Sequence, residues 1–424
     1  MERYSSYKDS NVSWIGMIPE HWGSKQLRSF LTLFTEKGHG EAQLLSVTRE
    51  QGVIERDIED KEENHNFVPE DLSGYKYIEK GDFAINKMKA WQGSYAVSDY
   101  CGIVSPAYFT CKLQGVNKQF FSRAIRSKAY IPFFTQYSKG IRVGQWDLNP
   151  NALKSIPFFL PPLSEQEKIV SYLESKTSKI DAYVEDKEKE IQLLQELKQK
   201  TIVEAVTKGL NPDVKMKDSG ISWLGMIPEH WVQYRFATLF KEKSICNCVN
   251  EELLSVYLDR GVIRFSEDNS RRTNPTSKDL SKYQLVDVGD FVLNNQQAWR
   301  GSVGVSKYRG IISPAYFIFT MSPKIDRVFA NYLLRSTSCV AYYHVCSKGI
   351  GSIQRNLDWG ALKQKGIAIP SIDEQRTIVS YIEEKCQKID TLTTELQAEI
   401  DYLKEYKQRL IADVVTGQVN VQNI

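Results

Sequence analysis

The 424-residue chain has no run of about 18 apolar residues, so no helix able to cross a bilayer is expected. Its first ten residues are polar and hold no signal-peptide core. The seven cysteines, an odd number, are scattered at 101, 111, 246, 248, 339, 346 and 386. None forms a C-x-x-C with a matching second pair, and Cys246-Asn-Cys248 is too close for zinc-finger spacing. They read as reduced thiols of a cytoplasmic protein without bound metal. The five histidines are isolated, and His21 and His230 both precede a tryptophan, which suggests a structural role. Catalytic signatures are missing too. There is no G-x-x-x-x-G-K-[ST], G-x-G-x-x-G, H-E-x-x-H or G-x-S-x-G. The [DN]-P-P-[YF] loop with which amino-methyltransferases hold a target base is also missing. A stand-alone enzyme would need a convergent catalytic set, and the motifs announce none.

What is present is a repeat. Lys8–Trp22 reads KDSNVSWIGMIPEHW and Lys217–Trp231 reads KDSGISWLGMIPEHW, with 12 of 15 positions identical at an offset of 209. The offset persists, give or take one residue. Gly81-Asp82-Phe83 recurs as Gly289-Asp290-Phe291, and Ser105-Pro106-Ala107-Tyr108-Phe109 as Ser313-Pro314-Ala315-Tyr316-Phe317. Ser138-Lys139-Gly140-Ile141 recurs as Ser347-Lys348-Gly349-Ile350. Two copies of a 209-residue unit fill almost the whole chain. That period is far too long for a solenoid.

Each copy has two textures. The first part alternates short β-rich runs, such as Leu44–Val47, Phe83–Asn86 and Gly102–Thr110, with turn signals. A helix is predicted over Lys118–Tyr137. From Glu165 to Lys208 there is no Gly and no Pro, and Glu, Lys, Gln, Leu and Ile dominate. Pro161-Pro162 precedes this stretch, Ser164 with Glu167 fits a capping box, and Gly209 fits a C-terminal stop. The twin stretch runs from Asp373 to Thr416 before Gly417. The fold class is therefore mixed α/β, with two globular heads and two long helices in a pseudo-twofold repeat. The boundaries read as 1–162 for the first head, 163–210 for the first long helix, 211–371 for the second head and 372–424 for the second long helix.

Alternate steps of four and three from Ile382 give Cys386, Ile389, Thr393, Leu396, Ile400, Leu403, Lys407, Leu410 and Val414. The equivalent register in the first copy is Leu173, Thr177, Ile180, Val184, Lys187, Ile191, Leu194, Lys198, Thr201 and Ala205. A 3.5-residue seam in two equivalent helices predicts that they pair as a coiled coil. Charge segregates along the same boundary. Residues 164–209 carry a net −2 and residues 373–424 a net −4, which leaves +9 on the heads of a chain whose total is +3. Acidic helices joining basic heads suit a protein that grips nucleic acid at two places.

Matched frames carry different side chains. Asn86-Lys87-Met88-Lys89-Ala90-Trp91-Gln92-Gly93-Ser94 aligns with Asn294-Asn295-Gln296-Gln297-Ala298-Trp299-Arg300-Gly301-Ser302. Asn, Ala, Trp, Gly and Ser are kept, while Lys87, Lys89 and Gln92 become Asn295, Gln297 and Arg300. Arg and Lys suit guanine edges, and Asn and Gln suit adenine edges. A second stretch sets Lys139, Arg142, Gln145, Trp146 and Asn149 against Lys348, Gly351, Gln354, Arg355 and Asp358. A third sets Arg49-Glu50-Gln51 against Leu258-Asp259-Arg260. The DNA-binding candidates are Lys87, Lys89, Trp91, Gln92, Ser94, Lys139, Arg142 and Gln145 in the first copy. In the second they are Asn295, Gln296, Gln297, Trp299, Arg300, Ser302, Lys348, Gln354 and Arg355.

On S-W-x-G-M-I-P-E-H-W at both copy starts, N-K-M-K-A-W-Q-G-S at 86–94, S-P-A-Y at 105–108 and 313–316, and L-P-P-L-S-E-Q at 160–166, the chain resembles the DNA-specificity subunit of type I restriction–modification systems. I-P-S-I-D-E-Q at 369–375 is a weaker partner of the last motif, without its second proline. The resemblance implies that each head is a target-recognition domain reading one half of a split, asymmetric double-stranded DNA site. It implies an antiparallel coiled coil that spaces the halves and docks two methyltransferase subunits, with recruitment of motor–nuclease subunits. It further implies a subunit without catalysis and without a cofactor of its own, in a complex whose partners use S-adenosylmethionine, ATP and Mg²⁺. Two alternatives stand beside it: a non-catalytic protein scaffold, or a specificity factor of a related defence system with a different nuclease.

Overall fold

A computed structural model describes residues 2–57, 69, 71–142, 145–267, 279–350 and 354–422; the side chains at 139, 141, 142, 145, 350 and 354 lie outside that description. The two long helices run over Leu163–Lys208, 46 residues, and Ile372–Val415, 44 residues. The chain forms two compact units, and both boundaries fall inside these helices. One unit is Met1–Glu188 with Ala398–Ile424, and the other is Lys189–Gln397.

The first unit is built on a four-stranded antiparallel sheet in the order Leu31–Phe34, Tyr108–Leu113, Phe83–Asn86, Tyr95–Val97. Phe83, Ala84 and Ile85 are all fully buried, because a central strand is covered on both faces. The expected strand over 102–110 is two strands, Gly102–Val104 and Tyr108–Leu113. Pro106, which cannot donate to a ladder, lies between them. The helix expected over Lys118–Tyr137 is likewise two helices, Lys118–Ile125 and Ile131–Tyr137. Pro132 has no N–H, so it is tolerated only in the first turn of a new helix. The Ser127 hydroxyl donates to the Ala124 carbonyl at 2.7 Å just past the end of the first helix. The second unit repeats the sheet with Phe240–Lys243, Tyr316–Met321, Phe291–Asn294 and Val303–Val305. Its paired helices, Arg327–Arg335 and Thr337–Val345, share Ser336, whose Oγ caps the second by accepting from the Cys339 N–H at 3.3 Å.

Every position of the predicted seam is buried or half-buried in both long helices. The pairing is antiparallel inside each unit. Lys407 reaches Asp181 at 2.6 Å in the first, and Lys198 reaches Asp390 at 2.6 Å in the second. These two pairs are equivalents in the repeat. Their carboxylates are about 60% exposed, so each contributes on the order of 0.2–1 kcal/mol and chiefly fixes register. The helices start at the expected Leu163 and Ile372, but the first start is built differently from expectation. The first helix begins at Leu163, ahead of Ser164, and the Pro162 carbonyl accepts from the Glu165 and Gln166 N–H groups. The Pro-Pro pair, rather than a Ser164–Glu167 capping box, sets that start. In the second helix the Ser371 hydroxyl takes the Glu374 N–H at 3.3 Å.

Each head is closed by the start of one long helix and the end of the other. The first unit's core joins Trp22, Phe121 and Phe158 to Leu173 and to Leu410, Val414, Val419 and Val421. The second joins Trp231, Phe291 and Tyr343 to Ile202 and Val206 and to Ile378 and Ile382. Gly417 ends the second helix at φ +76°, and a Cβ there would overlap Pro19. Gly209 ends the first at φ +74°, where the nearest atom to an added Cβ is 3.4 Å away. Gly417→Ala is therefore expected to destabilise the first unit by about 1–2 kcal/mol from the left-handed backbone alone, with the overlap adding to it. That corresponds to a melting point lowered by roughly 2–8 °C. Gly209→Ala should cost less. Equal shifts in thermal unfolding followed by circular dichroism would contradict this.

Candidate nucleic-acid interface

In the first unit the loop between strands Phe83–Asn86 and Tyr95–Val97 is held at its start by Asn86. Its Oδ1 accepts from the Met88 N–H at 3.2 Å, and its Nδ2 donates to the Tyr108 hydroxyl at 3.3 Å. A 3-10 turn follows over Ala90–Gln92, with Ala90 fully buried, and Gly93 ends it at φ +97°. The second unit repeats each contact. Asn294 Oδ1 accepts from the Gln296 N–H at 3.0 Å, Asn294 Nδ2 donates to the Tyr316 hydroxyl at 3.2 Å, and Gly301 closes the turn Ala298–Arg300 at φ +102°. The kept residues of the frame are thus the ones that build the turn, and the tyrosine of Ser-Pro-Ala-Tyr is its anchor.

A hairpin lies beside each loop. Strands Ser138–Arg142 and Gln145–Leu148 are tied to it by the Leu148 N–H donating to the Lys87 carbonyl at 3.1 Å. In the second unit, strands Ser347–Ile350 and Gln354–Leu357 are tied by the Leu357 N–H to the Asn295 side-chain oxygen at 2.9 Å. Trp91 sits 5.1 Å from Trp146, ring centre to ring centre. At the same place in the second unit, Trp299 carries Arg300 at 5.4 Å and Arg355 at 5.9 Å. Guanidinium groups over an indole face are favourable and hold the fork in a defined plane. Trp299 itself is fixed by donating to the Gln296 carbonyl at 3.0 Å.

The candidates therefore separate. Lys89, Gln296, Arg300 and Lys348 are exposed, and Lys87, Trp91, Gln92, Gln297, Trp299 and Arg355 are half-buried on the loop or its hairpin. Lys87 lies 3.5 Å from Asp147, and Lys348 lies 2.9 Å from Asp358. Two candidates are buried and a third supports the hairpin. Ser94 and Ser302 are 3% exposed, and the Ser302 hydroxyl donates to the Val256 carbonyl at 2.9 Å, so both belong to the scaffold. Asn295 uses its side-chain oxygen to hold the hairpin. The side chains of Lys139, Arg142, Gln145 and Gln354 lie outside the described residues, as does Gly351.

The repeated S-W-x-G-M-I-P-E-H-W motif is a clasp on the long helices. Trp22 Nε1 donates to Glu165 Oε1 at 3.1 Å, and His21 Nε2 lies 2.7 Å from Glu165 Oε2. Trp231 and His230 meet Glu374 at 3.1 and 2.8 Å. The next residue, Gln166 or Gln375, accepts from the Asn117 or Asp326 N–H at 2.9 or 2.7 Å. The Glu-Gln pair thus joins the helix start to the head. The two contacts span 144 residues along the chain in each copy, so both copies build the clasp alike.

No protein-family model matches the chain. Among solved structures, a chain described under "Structural basis underlying complex assembly and conformational transition of the type I R-M system" aligns with a TM-score of 0.64 at 15% identity, over 95% of this chain and 99% of that one. The HsdS subunit of Thermoanaerobacter tengcongensis aligns with a TM-score of 0.49 at 15% identity, over 95% and 98%. By sequence, the "Putative type I restriction enzyme MjaX specificity subunit" of Methanocaldococcus jannaschii is 24% identical over 444 residues, 98% of each chain. The chain is similar to this type I specificity subunit over its whole length. The similarity extends over both heads and both long helices. No helix among the described residues is long and apolar enough to cross a membrane.

Proposed function

We propose that this chain is the DNA-reading subunit of a type I restriction–modification complex, with each head recognising one half of a bipartite, asymmetric site. The observation that carries this reading is the matched pair of turns. Both are built by the same Asn, Ala, Trp and Gly, and they display different polar side chains: Lys87, Lys89 and Gln92 in one, Gln297 and Arg300 in the other. The long polar positions that change between the matched turns carry Lys, Gln, Asn and Arg, the side chains suited to base edges. Lysine and arginine contacts to phosphates would supply salt-dependent affinity, and contacts to base edges would supply sequence choice.

The long helices are the docking surface for two methyltransferase subunits in this reading, with motor–nuclease subunits joining the complex. Exposed apolar side chains on the helices support it: Tyr183 at 63% and Tyr402 at 68% in the first unit, and Leu193 at 63% and Leu197 at 51% in the second. The chain itself carries no catalysis and works in the cytoplasm. S-adenosylmethionine, ATP and Mg²⁺ belong to its partners.

The test is to express the chain with its methyltransferase partner and map modified bases across a genome by single-molecule sequencing. A split motif with two different halves is expected. Lys87→Ala should weaken modification through one half-site and Arg300→Ala through the other, each by about tenfold or more, without unfolding the protein. Unchanged modification in both variants would remove these residues from the interface, and the absence of any sequence-specific modification would overturn the function.

A further inference from the structure

Two short turns next to the recognition loops have a construction that their sequences do not explain on folding grounds. The first joins strands Leu45–Thr48 and Gly52–Glu55, and the second joins Leu254–Tyr257 and Gly261–Arg264. Their tips, Arg49-Glu50-Gln51 and Leu258-Asp259-Arg260, differ at all three positions. Their supports are the same. Arg126 Nη2 donates to the main-chain carbonyls of Arg49 at 3.2 Å and Glu50 at 2.8 Å. Arg335 Nη2 donates to those of Leu258 at 3.0 Å and Asp259 at 2.7 Å, and its Nη1 to Val303 at 3.1 Å. Gly52 and Gly261 close the turns at φ +82° and +70°, and a Cβ on either would overlap the guanidinium. Glycine and arginine therefore form one device, present in both units.

We propose that these turns are a further part of each DNA-reading surface, and that Arg126 and Arg335 are the positioning residues that hold them. The proposal rests on the DNA-reading function above. An anchor made only to main-chain carbonyls is indifferent to the side chains at the tip. It fixes the backbone while the tip is free to vary, which is what a specificity loop requires and a structural turn does not. The tips are exposed: Arg49 at 68%, Glu50 at 85% and Asp259 at 74%. They carry the right groups, since arginine reads guanine and a carboxylate accepts from the cytosine amino group. They adjoin the recognition loops. Arg49 Cγ lies 4.0 Å from a Cβ built on Gly93, which ends the first loop's 3-10 turn. In the second unit Ser302 of the loop donates to Val256 of the strand that leads into the turn. Arg260 lies over the Tyr257 ring at 4.6 Å, which gives its fork a fixed plane.

The experiment uses the full chain with its methyltransferase partner and reads the modified motif half by half. Replacing Arg49-Glu50-Gln51 by Leu-Asp-Arg is expected to change base preference by about tenfold or more at one or two base pairs of one half-site. The other half-site should keep its sequence. Arg126→Ala is expected to relax the same base pairs, Arg335→Ala the opposite half-site, and Arg126→Lys to restore part of the discrimination. A loss of folding would lower modification of all sites together, whereas a positioning role changes the motif in one half. If Arg126→Ala does not fold, the exposed tip exchange still decides the matter. An unaltered motif after the exchange, or equal loss at both halves after Arg126→Ala in a folded protein, would overturn the proposal. A wild-type complex without sequence-specific modification would overturn the proposed function instead.

Discussion

Deleting one heptad from each long helix is expected to shorten the gap between the two recognised half-sites by about three base pairs and to leave the half-sites themselves unchanged. Seven residues of helix span about 10 Å, and one base-pair step is about 3.4 Å. Residues 186–192 and 395–401 are the segments to remove, because they are equivalent in the repeat and each takes out one seam period. The Asp181–Lys407 pair in one unit and the Asp390–Lys198 pair in the other lie outside the deletions, so the pairing of each unit keeps its register. A seven-residue deletion also keeps seam residues on the seam, whereas a deletion of four or three would turn them away. Mapping modified bases in cells carrying the shortened chain gives the answer. A motif with its original gap would show that the helices do not set the spacing.

Trp22→Ala is expected to cost the first unit about 3–5 kcal/mol, the largest single-residue effect anticipated on stability. Trp22 is fully buried and packs edge-on to Tyr4 at 6.4 Å between ring centres. Its Nε1 is one of three donors on Glu165, with the Tyr4 hydroxyl at 2.6 Å and His21 at 2.7 Å. The substitution opens a cavity and leaves a carboxylate that is 4% exposed with a donor missing. Trp231→Ala should cost less. Glu374 is 30% exposed, and Asp213 stands at the repeat position of Tyr4, so its clasp has no phenol. Chemical denaturation of the two variants checks both the size and the order. A loss below about 1 kcal/mol for Trp22→Ala, or a larger loss for Trp231→Ala, would contradict the clasp.

Much of this architecture was legible before any coordinates. The 209-residue offset is a one-dimensional fact, and so is the absence of Gly and Pro over 165–208. Helix needs only local conditions, so its length and its seam could be read directly. The split of Lys118–Tyr137 into two helices has its signal in the sequence as well, in Pro132. The burial of Ser94 and Ser302, expected among the readers, is not legible in the sequence for a different reason. Their retention in both copies marked them as important, but retention does not say whether a hydroxyl faces solvent or a neighbouring strand's carbonyl. Asn295 differs between the copies and still serves as a support, because its neighbour is a hairpin some 60 residues further along the chain.

The amino-acid order alone determined that the chain is doubled, that each copy ends in one long amphipathic helix, that positive charge collects on the heads, and that the two copies differ at polar turn positions. These follow from composition and spacing, which act locally. Which helix end closes which head did not follow. The first head is completed by Leu410, Val414 and Val421, nearly 400 residues from Trp22, so the folded unit differs from the repeated unit. The clasp of Trp22 on Glu165 and the hold of Arg126 on residues 49 and 50 belong to the same class. Burial of the indole and satisfaction of main-chain carbonyls depend on distances in space, and no pattern along the chain carries those distances.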